Sequence, residues 1–270
     1  MTQIGFLSLN SGEARTTRKV FALAVTAGMA ILATLSVQGV LNAAEIKVIA
    51  TPGVAAALDE LSPRFTAATG HKVVVDYDVI AVLKRRIERG EAFDATILSP
   101  EAVDDLIRSG KLTPEGRANL GRSGLAVAAR KGAPKPDVSS TEAFKRAMLD
   151  ARLVSYSKEG LSGVHFLAVL DRLKITQAMR PRIKAYENVG MATAVATGEA
   201  ELVVTGMGPL LAEPRIEIVG ALPPELQTYL WYAAGMSAAA KEPQTAKAFI
   251  QFLNSPAAFP VLKAKGLEPG

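Results

Sequence analysis

From residue 46 onward, short apolar runs alternate with stretches in which apolar residues recur at every third or fourth position. The runs Ile46–Thr51, Lys72–Tyr77 and Ala95–Leu98 have the length and composition of β-strands. Between the first two runs, the apolar positions from Val54 to Phe65 have helical spacing. This regular alternation of strands and helices predicts an α/β fold.

A second block of strand–helix units covers residues 152–222 and resembles the first block at residues 45–120. Between the two blocks lies a predicted helix, Thr141–Leu149, with Thr141 as its expected N-cap. Two extended segments, residues 124–131 and 226–237, connect the blocks with the rest of the chain. The last two predicted helices, Pro243–Leu253 and Ala257–Lys265, have no sheet of their own, so we expect the chain to return to the first block.

These features predict a two-lobed α/β fold. One lobe comprises residues 45–124 with 232–270, and the other comprises residues 125–231. The two extended segments cross between them. Ligands of parallel α/β sheets bind at the carboxyl ends of strands, where helices begin. A ligand cleft is therefore expected between the lobes.

The first 44 residues have the pattern of a secretory signal peptide. Basic residues at 15, 18 and 19 precede an apolar run from Val20 to Val37, and small residues follow it. Cleavage near Ala43 or Ala44 would start the mature chain at about Glu45. The apolar run is nearly long enough to span a bilayer, so an uncleaved anchor is the alternative interpretation.

Composition narrows the function further. The formal net charge is +5, and part of this excess lies in the leader, so the charge does not by itself indicate nucleic-acid binding. The chain has no cysteine. This excludes disulfides, thiol catalysis and a lipid-modified cysteine, and it is compatible with an oxidising periplasm.

Motifs of enzyme active sites are incomplete in this chain. The segment "GLSGV" at residues 160–164 resembles a nucleophile elbow but lacks the last glycine. The one histidine that follows it, His165, is too near in sequence to build the usual separated triad. Two histidines, His71 and His165, do not form a zinc set. The sequence therefore predicts neither an enzyme nor a metal or cofactor site.

Four segments together carry a resemblance to a known family: "IKVIATPGVAAALDELSPRFTAATGHKVVV", "LKRRIERGEAFDATILSPEAVDDLIRSGKL", "TGEAELVVTG" and "AKAFIQFLNSPAAFPVLKAKGL". In the order of its predicted strands and helices and in these four segments, the chain resembles the type II periplasmic solute-binding proteins of ABC transporters. It is most similar to the molybdate-binding branch. The resemblance covers residues 45–270. It implies a ligand cleft between two lobes and delivery of the ligand to a permease in the inner membrane.

The chain departs from the molybdate-binding pattern at the turns after strands, where the ligand is expected to bind. Thr51-Pro52-Gly53 follows the first strand, where that branch has small residues and a serine. Asp78-Val79-Ile80 stands where a glycine-serine-serine turn is usual. His165 lies near a family tyrosine position, and Thr205 replaces a second family tyrosine. We therefore expect weak or no selectivity for a bare oxyanion. A small organic acid or a polar organic molecule is the ligand that we expect instead.

The resemblance and the strand-end positions give nine candidate ligand-binding residues. From the first lobe they are Thr51, Gly53, Asp78, Val79 and Ser99, and from the second lobe they are Ser162, His165, Thr205 and Met207.

Several of the nine candidates also have ordinary structural interpretations. Gly53, with Pro52, could form only a turn, and Ser162 could be a helix cap as well as a ligand anchor. Asp78 could cap the helix that follows it, and Ser99 is a natural N-cap for the helix that begins at Pro100. His165 could be a surface or core residue without any ligand. Lys158, outside the nine, could face a ligand carboxylate or simply be solvated.

These arguments predict a monomeric, periplasmic solute-binding component of an ABC transporter that captures a small anionic or polar ligand by hinge closure. Its partners would be the ligand and a membrane permease, with no nucleic acid. The alternative is a periplasmic ligand-sensing subunit on the same fold that reports to a membrane partner, which an uncleaved anchor would favour.

Overall fold

The computed structural model describes residues 43–187 and 190–268. The predicted signal peptide, residues 1–44, lies outside this part of the chain except for its last two positions. Among the helices of the described residues, none is long and apolar enough to cross a membrane.

Strands and helices alternate through most of the described chain. The strands are β1 Glu45–Ala50, β2 Lys72–Tyr77, β3 Ala95–Leu98, β4 Leu112–Arg130, β5 Val154–Ser157, β6 Ile183–Tyr186, β7 Leu202–Gly206, β8 Ile216–Ala221 and β9 Tyr229–Ser237. The helices are α1 Ala55–Thr69, α2 Ile80–Glu88, α3 Pro100–Arg108, α4 Thr141–Asp150, α5 Leu161–Arg172, α6 Thr176–Met179, α7 Gly190–Ala196, α8 Met207–Ala212, α9 Pro243–Leu253 and α10 Phe259–Ala264. Short 3₁₀ turns occur at Pro52–Val54 and Arg180–Arg182. The predicted α/β alternation is confirmed.

Strand β4 takes part in two groups of strands. From Leu112 to Gly124 it pairs with β9, which in turn pairs with β3 beside β1 and β2. From Leu125 to Ala129 it pairs with β7, which lies beside β5 and β6. We call these groups the first and second sheets. Strand β8 also pairs with β4 in the second sheet.

Helices cover both faces of each sheet. In β1, Ile46 and Val48 pack in one buried cluster, whereas Ile49 packs in another on the opposite face. In β4, Leu125 and Val127 pack on one face and the intervening alanines on the other. Burial on both faces explains why these strands are continuously apolar instead of alternating.

The last two helices pack against the first sheet. Phe249, Leu253 and Val261 lie in the same buried cluster as residues of β1 and α1. The rings of Phe249 and Phe65 meet edge to face with centroids 5.2 Å apart. This packing returns the chain to the first sheet, although the lobe boundaries themselves stay a prediction.

Three local features differ from the sequence prediction. Ser140, not Thr141, caps α4, since its Oγ accepts a hydrogen bond from the backbone of Ala143 at 3.2 Å. Strand β4 begins as early as Leu112. The sequence did not predict a strand in this segment because it contains proline and glycine. Its register shifts twice in this segment, between Thr113 and Ala118 and again between Asn119 and Gly121. Helix α8 was not predicted, because it has only six residues.

Asp94 ties the C-terminal segment to the first sheet. Its carboxylate is buried, at 5% exposure, and accepts three backbone hydrogen bonds. One comes from Lys47 in β1 at 2.8 Å. The others come from Lys241 at 2.8 Å and Glu242 at 3.1 Å, just before α9. Loss of the carboxylate would leave three backbone N–H groups without their acceptor.

We therefore expect Asp94→Ala to lower the free energy of unfolding by about 3 kcal/mol, because hydrogen bonds to a buried charge are strong and their donors would stay buried. Urea unfolding followed by circular dichroism measures this loss. Asp171→Ala, at an exposed position on α5, is the control and should change stability by less than about 0.5 kcal/mol. Equal unfolding midpoints for the two variants would contradict the proposed anchoring role.

Candidate ligand-binding site

A cavity of about 50 Å³ lies where strand ends of the two sheets face each other. Its walls come from the segments that follow β1, β2 and β5, from the end of β7, and from β9. The lining residues are Thr51, Pro52, Gly53, Val79, Ile80, Ser157, Gly160, Leu161, Ser162, Met191, Thr205, Gly206, Pro209, Leu230 and Tyr232. This is the position that the strand-end rule predicts for a ligand in an α/β fold.

A buried pair of hydroxyl groups forms one wall. The Oγ of Ser162, on α5, lies 3.1 Å from the Oγ1 of Thr205, on β7. Both residues are buried, at 6% and 1% exposure. A hydroxyl can donate one hydrogen bond and accept others, so the pair still has hydrogen-bonding capacity for a ligand in the cavity.

Two helices begin at the cavity without a side-chain cap. Val79 is the N-cap of α2 and Gly160 is the N-cap of α5, and neither has a capping side-chain hydrogen bond. The first-turn N–H groups of a helix have no acceptor within the helix, and they carry the positive end of its dipole. Because Ile80 and Leu161 line the cavity, these helix starts face it and favour a negatively charged group there.

Tyr232 lies in the extended segment 226–237 and was not among the nine candidates, yet it belongs to the cavity lining. The residue is 3% exposed, and burial raises the pKa of its hydroxyl well above the usual value. Its ring reaches Gly53, where an added β-carbon would lie 2.1 Å from the Tyr232 oxygen. Side chains of successive residues in a β-strand point to opposite faces. Trp231 points outward, at 43% exposure, so its neighbour Tyr232 must point inward. This alternation along β9 is the signal that could have identified Tyr232.

Five of the nine sequence-predicted residues come together in the cavity lining: Thr51, Gly53, Val79, Ser162 and Thr205. They come from both sheets. The other four, Asp78, Ser99, His165 and Met207, lie outside the lining, and each has a partner in the protein.

Asp78 is turned toward its own lobe. Its Oδ1 accepts from the backbone of Val79 at 2.8 Å, and its Oδ2 lies 3.9 Å from Arg86. Arg86 also bonds Asp76 and Glu91. Together with Lys47, Arg86 lowers the pKa of Glu91 to about 2. The charged groups of these side chains pair with one another beside the cavity, and none of these side chains belongs to its lining.

Ser99 and Met207 have structural contacts. The Oγ of Ser99 accepts from the backbone of Ala102 at 3.3 Å, which confirms its interpretation as an N-cap of α3. The side chain of Met207 packs against Gly266 near the C-terminus.

The "GLSGV" segment is explained by packing. A β-carbon at Gly163 would lie 1.8 Å from the carbonyl oxygen of Ser157, so glycine allows α5 to approach β5 closely. The Nε2 of His165 lies 3.1 Å from the carbonyl oxygen of Leu226, whereas Ser162 bonds Thr205. Within the described residues, Ser162 and His165 therefore do not form a nucleophile–base pair.

Ion pairs lie around the cavity mouth. Arg85 on α2 lies 3.6 Å from Glu159, which precedes α5, so this pair spans the two sheets. Lys158, a candidate partner for a ligand carboxylate, instead bonds Glu187 at 3.1 Å. These side chains are largely exposed, and such pairs contribute little free energy.

Two glycines allow the sheets to close on each other. A β-carbon at Gly208, in α8, would lie 2.0 Å from the carbonyl oxygen of Gly53, in the 3₁₀ turn after β1. Any side chain at position 208 would push this turn and α8 apart. The two backbones can therefore lie this close together only because position 208 has no side chain.

Comparison with known proteins identifies the family. Residues 46–268 match the family model described as "Bacterial extracellular solute-binding protein". The chain belongs to this family. The predicted resemblance to two-lobed periplasmic solute-binding proteins is confirmed, and the chain has the fold of periplasmic oxyanion-binding proteins.

Individual relatives of this solute-binding protein differ in activity. An aconitate isomerase from Pseudomonas sp. is 30% identical over 90% of this chain and 94% of its own length. The molybdate-binding protein ModA of Azotobacter vinelandii is 23% identical over 83% of this chain and 90% of its own. Among solved structures, the periplasmic molybdate-binding protein of Azotobacter vinelandii has a TM-score of 0.69 at 22% identity, covering 83% of this chain and 99% of that one.

The contact between Gly53 and Gly208 gives a test of closure. We expect Gly208→Ala to hold the lobes apart and to weaken ligand binding about tenfold or more, because the added carbon overlaps a backbone oxygen. Small-angle X-ray scattering with ligand measures closure, and calorimetry measures affinity. Gly190→Ala is the control, since its added carbon would lie 3.5 Å from Tyr186, an ordinary contact. Unchanged affinity and full closure in Gly208→Ala would count against this role.

Proposed function

We propose that the protein is the extracytoplasmic solute-binding component of an ABC transporter and that it captures a small anionic or polar ligand in the periplasm. One observation carries the proposal. The cavity between the sheets combines the hydroxyls of Ser162 and Thr205 with the uncapped starts of α2 and α5. Among its described lining residues there is no acidic or basic side chain. Such a site can hold a ligand through directed hydrogen bonds while offering little for chemistry.

Binding would proceed by hinge closure. The lobes would be residues 45–124 with 232–270, and residues 125–231, as the sequence predicts. In support of this division, the pairing of β4 changes from β9 to β7 between Gly124 and Leu125. A ligand that touches Thr51 from one lobe and Thr205 from the other binds the closed state more tightly than the open one. Its differential affinity would drive closure.

The partner would be a membrane permease that recognises the closed form and takes the ligand from it. Membership in the extracellular solute-binding family supports this role. The protein is proposed to act as a monomer, since the two lobes already complete the cavity.

A second candidate function is isomerisation of aconitate. The relative that carries that name shares 30% identity over 90% of this chain. Isomerisation by proton transfer needs a group that takes and returns a proton. Among the described lining residues, Tyr232 has the only side chain that titrates in this way. Aconitate is a tricarboxylate, and its three charges would enter a small cavity that lacks basic side chains, so we rank this function second.

For the first candidate, a bound ligand should raise the melting temperature. Ligand at a hundredfold its Kd adds about 2.7 kcal/mol. For a chain of this size the shift is roughly 5–10 °C. The panel would contain molybdate, tungstate, sulfate, small organic acids and amines. Thr205→Val keeps the side-chain shape but removes the hydroxyl, and it should weaken binding about tenfold.

Thr197→Val is the matched control, since this threonine is exposed at the end of α7. It should keep the wild-type shift with every compound. A panel without any shift, or equal affinities for Thr205→Val and wild type, would refute the proposed site.

For the second candidate, we expect no interconversion of cis- and trans-aconitate above the rate without protein, because the lining holds no free carboxylate or imidazole to act as base. Proton NMR of either isomer incubated with the protein measures this. Conversion that disappears in Tyr232→Phe and persists in Tyr229→Phe would replace the binding function with the enzymatic one.

A further inference from the structure

The cavity lining combines polar and apolar side chains, and this composition bears on the ligand class; the inference rests on the proposed binding function. The polar side chains are Thr51, Ser157, Ser162, Thr205 and Tyr232. The apolar side chains are Pro52, Val79, Ile80, Leu161, Met191, Pro209 and Leu230.

One of the polar side chains offers a hydrogen-bond donor to the cavity. Tyr232 belongs to the lining, and no side-chain hydrogen bond of its hydroxyl is seen among the described residues. An added β-carbon at Gly206 would lie 3.9 Å from the Tyr232 oxygen, so the hydroxyl is near the end of β7, where Thr205 and Ser162 form their pair. A ligand oxygen in the cavity could accept a hydrogen bond from this hydroxyl.

The apolar side chains disfavour a tetrahedral oxyanion. Such an anion has oxygen on every side and needs donors all around it. At the starts of α2 and α5 the backbone N–H groups can donate, but the side chains of Val79, Ile80 and Leu161, which we call the apolar wall, present only carbon. Oxygens turned toward these side chains would lose their hydration without gaining hydrogen bonds.

Charge and size restrict the ligand further. With no basic side chain among the described lining residues, one negative charge is more readily accommodated than two or three. The helix starts and the hydroxyls supply the compensating dipoles. A cavity volume of about 50 Å³ suits a small ligand rather than a large one.

We propose that the ligand is a short-chain monocarboxylate of two to four carbons, whose carboxylate accepts a hydrogen bond from Tyr232 and whose carbon end packs against Val79, Ile80 and Leu161. Tyr232 and the hydroxyl pair then select for the carboxylate. The apolar wall selects against bare oxyanions.

Isothermal titration calorimetry on the purified protein tests this with acetate, propionate, pyruvate and lactate, against molybdate, tungstate and sulfate. We expect at least one monocarboxylate to bind tenfold or more tightly than every oxyanion. Its neutral amide, for example propionamide for propionate, should bind at least a hundredfold more weakly. Tyr232→Phe should weaken the carboxylate about tenfold, whereas Tyr229→Phe, at an exposed position of the same strand, should not.

A double variant reverses the selection. Val79→Ser with Ile80→Ser places hydroxyls on the apolar wall, and it should raise the affinity for an oxyanion relative to the carboxylate. An oxyanion that binds wild type more tightly than every monocarboxylate would overturn the inference and leave the proposed binding function standing. Carboxylate binding that Tyr232→Phe leaves unchanged would also overturn it. Binding of no compound at all would overturn both.

Discussion

The structure depends on one continuous strand that belongs to two sheets. Strand β4 pairs with β9 up to Gly124 and with β7 from Leu125 onward. Because the backbone hydrogen bonds of both sheets run through this strand, the two sheets are joined where its pairing changes. The same junction brings the ends of β1, β5 and β7 to face each other. A cavity at this position follows from the strand, before any particular side chain is considered.

Charged side chains near the cavity pair with one another and lie outside its described lining. Arg86 is held by Glu91 and Asp76 on its own side, and the exposed pairs at the mouth, such as Arg85 with Glu159, lie outside the lining. The cavity itself is left with hydroxyls, helix starts and hydrocarbon. Because full charges are costly to bury, keeping them outside the described lining lowers the cost of enclosing this cavity.

Much of the fold could be predicted from sequence. Continuous apolar runs marked the buried strands, and local signals such as Ser99 before Pro100 marked helix starts. The early part of β4 could not be predicted, because its pairing with β9 is distant in sequence and its register is broken by bulges. Among the candidate site residues, those placed directly at strand ends, such as Thr51 and Thr205, line the cavity. Asp78 does not, because its carboxylate accepts a hydrogen bond from the backbone of Val79 and lies near Arg86, and no periodic pattern reveals these contacts.

Tyr232 bears most directly on the choice between a binding protein and an enzyme on this scaffold. Burial raises the pKa of its hydroxyl, so at neutral pH the group stays protonated. A protonated phenol can donate a hydrogen bond to a ligand oxygen, but it cannot take a proton from carbon. The described lining has no second titrating group to pair with it. An isomerase on this fold would need a base at the cavity, and here the nearby Asp78 carboxylate is turned toward Val79 and Arg86 instead. Among the described lining residues there is thus a donor that can hold a ligand oxygen and no group that could take a proton from carbon.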